Sequence, residues 1–177
     1  MRFLTSEESA QWCASRGFQL LTYGQGLPYP DLGNLNRLSL IYPTDSGKKV
    51  QLAKTVAEWS LRQCETLFWL GDWDVWPSSQ HMPLFTRFRA ALGETRPLIE
   101  TPGHLLQCDE VDDGSSILAV ALLFFWDCCT LRADGGPAFY CSHDEFCEIA
   151  TLSDTAELEA AQEFNIWLAS GVEESDG

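Results

Sequence analysis

Basic residues are scarce in this sequence. Its 177 residues include 11 lysines and arginines against 26 aspartates and glutamates, which gives a formal net charge of −15 at pH 7. Nucleic-acid-binding proteins neutralise phosphates with clustered basic side chains, and an anionic membrane surface repels an acidic chain. We therefore expect neither a nucleic acid nor a membrane as a partner. The charge predicts instead a protein partner that is basic.

The shortage of basic residues is greatest near the C-terminus. No lysine or arginine follows Arg132, whereas residues 133–177 contain 11 aspartates and glutamates. The first three quarters of the chain are close to charge balance by comparison. A solvated face with an acidic tail would explain this distribution, and a partner-binding face is the alternative. The sequence places the acidic region around Ser142–Glu163.

Long apolar runs and paired-cysteine motifs are also missing. The longest apolar run, Ile117 to Trp126, spans ten residues, whereas a bilayer requires about 20. This run therefore predicts a buried helix, and the N-terminus lacks the apolar stretch of a signal peptide. The seven cysteines are odd in number and include no CxxC. Reduced thiols, and hence a cytoplasmic protein, are the simplest interpretation.

Motifs that carry chemistry are few. The three histidines, His81, His104 and His143, show neither i, i+4 spacing nor an H-E-x-x-H context, so spacing gives no metal site. Phosphate-cradling loops and the G-x-S-x-G elbow are absent as well. Cys141 is the best-placed thiol for a nucleophile, but nearby carboxylates would raise its pKa. The sequence therefore assigns no catalytic residue, no cofactor and no metal ligand.

Tryptophan is the residue type that this chain has in abundance. Three of its seven tryptophans are Trp69, Trp73 and Trp76, and the last two lie in a loop with Asp72 and Asp74. Trp69 is predicted to be buried because it belongs to an apolar strand. The two loop tryptophans would either cover the core or serve as exposed anchors, since tryptophan beside charge is typical of binding hot spots.

Hydrophobic periodicity predicts an α+β fold. Helices are expected over residues 6–16, 47–63, 83–92, 116–126 and 155–169, and strands over residues 18–23, 37–42, 66–70, 127–132 and 138–141. Residues 109–116 are interpreted as an acidic turn. A capping-box pattern at Ser142 and Glu145 would begin a short helix over 146–150, and a strand there is nearly as well supported.

The irregular alternation of these elements favours one domain over a βαβ repeat. We expect a mixed or antiparallel sheet with about four to five helices packed on it. Residues 1–171 would form the single globular domain. Residues 172–177 would form a frayed acidic tail.

Four short segments resemble a scattered group of uncharacterised bacterial proteins. They are WPSS at Trp76–Ser79, PLF with two arginines at Pro83–Arg89, ETPGHL at Glu100–Leu105 and SHDE at Ser142–Glu145. The resemblance covers roughly residues 60–150. It implies a bacterial, cytosolic origin and carries no catalytic residue over to this chain.

Our first functional hypothesis is a non-catalytic acidic protein-binding domain, similar to bacterial immunity or inhibitor proteins that bind a basic partner. The acids would attract the partner and the loop tryptophans would anchor it. The candidate binding residues are Asp72, Trp73, Asp74, Trp76, His81, His104, His143, Asp144 and Glu145.

Two alternatives remain open at the level of sequence. The first is an enzyme of unknown class, with a cleft near the loop Asp72–His81, His104 and His143. Convergence of the three histidines with Asp72 or Asp74 would favour it. The second is a structural subunit that forms a homodimer, which a contiguous patch of exposed apolar side chains would favour.

Overall fold

The computed structural model describes residues 1–23, 27–31, 36–73, 82–151 and 153–168. Five helices pack on a seven-stranded sheet whose neighbouring strands are all antiparallel. The predicted α+β fold is therefore confirmed, and of the two sheet types expected the antiparallel one is present. The residues predicted to form the tail lie outside the described ranges.

The strands and helices have the following bounds. The strands are β1 (Arg2–Leu4), β2 (Leu20–Tyr23), β3 (Leu27–Pro30), β4 (Asn36–Leu40), β5 (Thr66–Gly71), β6 (Gly103–Leu106), β7 (Asp127–Arg132), β8 (Ala138–Cys141) and β9 (Cys147–Thr151). The helices are α1 (Ser6–Ser15), α2 (Ser46–Ser60), α3 (Met82–Ala91), α4 (Val111–Phe124) and α5 (Asp154–Glu163), followed by a 3₁₀ turn over Asn165–Trp167. The sheet order is β1-β6-β5-β7-β8-β9-β4, and β2 and β3 form a separate hairpin.

The central strands are covered on both faces of the sheet. In β5, Phe68 and Leu70 belong to the larger apolar cluster, which includes residues of α2 and α4. The alternate residues Leu67 and Trp69 belong to a second cluster with Trp12 of α1. Successive side chains of a strand point to opposite faces, so a strand covered on both faces requires an unbroken apolar run. This explains the sequence of β5 and confirms that Trp69 is buried.

Side-chain caps mark the starts of three helices. Thr5 and Glu8 form a capping box at the start of α1. The Asp45 side chain accepts a hydrogen bond from the Lys48 backbone at the start of α2. Ser153 caps α5 by accepting from the Ala156 backbone, and α5 ends at Glu163 rather than near residue 169.

The interpretation of residues 109–116 as a turn is wrong. Helix α4 begins at Val111, and Asp112 and Asp113 lie in its first turn. Carboxylates near a helix N-terminus are stabilised by the helix dipole, so this acidic stretch forms helix instead of preceding it. The apolar run predicted to be a buried helix forms most of the remainder of α4. Among the described residues, no helix is long and apolar enough to cross a membrane.

Candidate functional site

The sheet topology brings three strand ends together. Gly71 lies opposite Asp127 in the β5–β7 pair, and Cys128 lies opposite Cys141 in the β7–β8 pair. Because these strands are antiparallel, the end of β5, the start of β7 and the end of β8 meet at one end of the sheet. Residues that begin these strands, or follow them within two positions, therefore become neighbours.

Three such residues form a cluster of polar side chains. Asp72 follows β5, Asp127 begins β7 and His143 follows β8. One donor atom from each of the three side chains lies within 4.8 Å of the others. We refer to Asp72, Asp127 and His143 as the strand-end cluster.

Asp127 is the buried member of the strand-end cluster, with 6% of its surface exposed. Its Oδ1 accepts hydrogen bonds from the backbone N–H and from the ring Nδ1 of His143, each at 2.7 Å. Its Oδ2 accepts a hydrogen bond from the Tyr140 hydroxyl at 2.7 Å. A buried carboxylate is costly unless it is paired and hydrogen-bonded, and these three donors meet that requirement.

The surrounding carboxylates favour the protonated form of His143. Burial lowers the pKa of His143, but the hydrogen bond and charge of Asp127 and the charges of Asp144 and Asp72 raise it by more. The pKa of the imidazole therefore lies above its ordinary value. Asp144 Oδ1 lies 3.6 Å from His143 Nε2, so carboxylates approach both ring nitrogens.

The backbone around His143 is a hairpin turn and not the start of a helix. The Ser142 backbone N–H donates to the Phe146 carbonyl at 3.0 Å, and Ser142 Oγ accepts from the Asp144 backbone at 3.2 Å. Glu145 has a φ of 62°, in the left-handed region. The predicted capping box at Ser142 and Glu145 is therefore wrong. The strand alternative for residues 146–150 is correct.

His104 lies in a different part of the molecule from His143. It is fully buried on β6, and β5 and β7 lie between β6 and β8. Its ring packs against Phe3 and Phe85, with centroid distances of 5.4 and 5.9 Å. Burial and the nearby charge of Arg89 lower the pKa of His104 to about 3. The described structure therefore does not bring His104 and His143 into one cleft.

The other candidate residues divide into two groups. Asp144 and Glu145 are exposed in the turn beside the strand-end cluster. Trp73 is partly buried and packs against the larger apolar cluster, which agrees with a covering role for its ring. The candidates Asp74, Trp76 and His81 lie outside the described residues.

No family model, curated protein or solved structure matches this chain. A function therefore has to be argued from the arrangement of its own residues. The strand-end cluster is the starting point because it combines a buried carboxylate with an imidazole whose pKa is raised.

Asp127 is the central residue that the sequence analysis missed as a candidate. It was interpreted only as the first residue of a strand. One signal was present, since Asp127 stands between Trp126 and Cys128 in an otherwise apolar stretch, and a lone carboxylate in a buried strand requires polar partners. The partners themselves, Tyr140 and His143, are identified only by the fold.

The cysteines provide no nucleophile at this site. Cys141 is fully buried, and burial together with the charges of neighbouring groups raises its pKa well above the ordinary value. A thiol that stays protonated is a poor nucleophile. All seven cysteines are free thiols in the structure, as reduced cysteines would be.

The acidic region predicted from the sequence is divided by the fold. Asp144 and Glu145 precede β9, whereas Asp154 and the acids of α5 follow it. The two groups therefore lie at opposite ends of this strand. Asp144 lies instead on the same side of the fold as Asp72, since the charges of both carboxylates raise the pKa of His143.

Proposed function

We propose that this chain is a non-catalytic acidic protein-binding domain that binds a basic partner, in the manner of an immunity or inhibitor protein. The end of the sheet around the strand-end cluster, together with the exposed residues Asp144 and Glu145, is the proposed contact surface. The observation that carries the proposal is the gathering of Asp72, Asp127 and Asp144 around one imidazole at this end.

The use of the basic residues elsewhere in the fold supports this proposal. Six of the 11 form ion pairs with acids of the same chain: Arg16, Arg37, Lys54, Arg62, Arg96 and Arg132. Two more, Lys49 and Arg89, are 5% and 2% exposed. Each ion pair uses one acid as well as one base, so the excess of acids over bases is not reduced within the chain, and a basic partner would supply the missing charge.

A charge-matched pair of variants tests the location of the contact surface. The first variant combines Asp72→Asn, Asp144→Asn and Glu145→Gln. The control combines Asp109→Asn, Glu100→Gln and Glu159→Gln, which removes the same charge from exposed residues elsewhere. Binding is measured by calorimetry against basic proteins encoded beside this gene, at low and high salt.

We expect the first variant to weaken binding by about tenfold or more and the control to weaken it much less, because specific charge pairs act only at short range. We also expect the affinity to fall as salt rises. Equal losses in both variants would show that only net charge matters. An affinity that does not respond to salt would contradict electrostatic recognition.

An enzyme is the second candidate function, and one observation favours it. Asp127 holds Nδ1 of His143 at 2.7 Å, which is how a carboxylate orients a general-base histidine. One observation counts against an enzyme at this site. A groove of about 650 Å³ opens between β1 and α1, and β6, β5 and β7 separate β1 from β8, which precedes His143. The enzyme hypothesis predicts that His143→Gln abolishes turnover of a substrate, whereas Glu159→Gln, at an exposed position elsewhere, leaves turnover unchanged.

A further inference from the structure

We propose that the strand-end cluster binds one divalent transition-metal ion through Asp72, Asp127 and His143. Ligand atoms held at 2.0–2.2 Å from one ion lie roughly 3–4 Å from one another. The donor atoms of the three side chains lie within 4.8 Å of one another, so small side-chain rotations are enough to close the site. This proposal does not depend on the proposed binding of a basic partner.

The ion would take the place of a proton. His143 Nδ1 and Asp127 Oδ1 are joined by a hydrogen bond of 2.7 Å. When a metal binds, Nδ1 gives up its proton to solvent and its lone pair binds the ion, and the N–O separation widens to about 3 Å.

The surrounding side chains form the outer contacts that such a site requires. Histidine ligands usually donate their other ring N–H to a carboxylate, and carboxylate ligands accept hydrogen bonds in turn. Asp144 Oδ1 lies 3.6 Å from His143 Nε2, and the Tyr140 hydroxyl donates to Asp127 Oδ2 at 2.7 Å. Asp127 is therefore held from outside the cluster, and a small movement of Asp144 would let it accept a hydrogen bond from His143 Nε2.

The mixed donor set selects the class of ion. Calcium and magnesium are bound mainly by oxygen, whereas an imidazole together with carboxylates suits manganese, iron and zinc. The imidazole therefore separates this cluster from a purely acidic surface patch, which would attract any divalent cation.

The experiment uses Mn²⁺ as the probe, because the free thiols of the chain would also capture Zn²⁺. The full chain is treated with chelator and titrated with Mn²⁺ while electron paramagnetic resonance reports the free ion. We expect one ion per chain. We also expect about a hundredfold weaker binding in Asp72→Asn and His143→Gln, and about tenfold weaker binding in Asp144→Asn.

The controls Asp109→Asn and Glu159→Gln change exposed acids elsewhere and should bind Mn²⁺ as the unmodified chain does. Thermal unfolding verifies that each variant is folded. A pulsed resonance spectrum of the bound ion should show coupling to an imidazole nitrogen, and it should be lost in His143→Gln. Absence of this coupling, equal affinity in all variants, or full displacement by equimolar Ca²⁺ would overturn the proposal.

The metal site and the proposed function fail independently. Partner binding measured in excess chelator should persist if the acidic surface recognises the partner directly. Loss of Mn²⁺ binding without loss of partner binding would therefore leave the proposed function standing, and the reverse result would leave the metal site standing.

Discussion

The two described histidines occupy opposite environments in this fold. His104 is enclosed by Phe3 and Phe85 in the interior, and its pKa is lowered to about 3. His143 lies at the end of the sheet, where the charges of Asp127, Asp144 and Asp72 raise its pKa. The same side chain is therefore held neutral in one region and favoured as a cation in the other. The difference follows from the surroundings, since apolar burial disfavours the charged ring and nearby carboxylates favour it.

The interior should show the largest effect of substitution. Phe85 is fully buried against His104 and Trp126, so Phe85→Ala should lower the free energy of unfolding by about 3–5 kcal/mol. The neighbouring Leu84 is 56% exposed, and Leu84→Ala should change it by less than about 0.5 kcal/mol. Urea denaturation of both variants measures the difference. Similar losses would mean that α3 does not bury Phe85 as described.

The strand-end cluster should show an intermediate effect. Asp127→Ala removes the acceptor of the Tyr140 hydroxyl and of two His143 donors. We expect a loss of about 2–4 kcal/mol, because three partly buried donors lose their partner. Asp144→Ala, at an exposed position, is the matched control and should cost little. A loss from Asp127→Ala no larger than that of the control would contradict the buried network.

The two histidines should give opposite pH dependences of stability. The folded-state pKa of His104 is lowered to about 3, so protonation of the unfolded chain should reduce stability as pH falls below about 6.5. The folded-state pKa of His143 is raised. Its contribution is therefore complete below about 6.5 and is lost as pH rises through the folded-state pKa.

Unfolding of His143→Gln in chelator measures the second effect. Its deficit relative to the unmodified chain should be larger at pH 5 than at pH 9. Nuclear magnetic resonance of the ring nitrogens provides the matching test for His104, which should stay neutral at pH 5. A deficit that does not vary with pH would contradict the raised pKa of His143.

The smallest expected effect is the change in the pKa of His143 when the exposed carboxylate Asp144 is removed. Asp144→Asn should lower the pKa of His143 only slightly at low salt, because Asp144 is exposed and its charge is screened by water. High salt should reduce this shift further. Titration of the His143 ring by nuclear magnetic resonance measures it. If Asp144→Asn lowered the pKa of His143 by more than Asp127→Asn does, the stronger influence of Asp127 on this ring would be contradicted.

Local signals in the sequence predicted much of the secondary structure. Strands β7 and β8 have the predicted bounds, and α1 begins at the predicted residue. The failures also have local causes. The pattern at Ser142 fits both a helix cap and a turn, and the hydrogen bonds of the β8–β9 hairpin select the turn. The start of α4 was placed too late because aspartate, glycine and serine are typical of turns, and residues 112–116 consist only of these types although they belong to α4.

By itself, the sequence determined the charge of the protein, its α+β class and the burial of strands such as β5, because these follow from composition and from patterns within a few residues. It also identified Asp72, His143 and Asp144 as candidates. Only the tertiary structure joined Asp72 and His143 to Asp127 and separated them from His104. Strand register makes neighbours of residues that are 55 and 16 positions from Asp127 in the chain, and no local spacing rule reports such a juxtaposition.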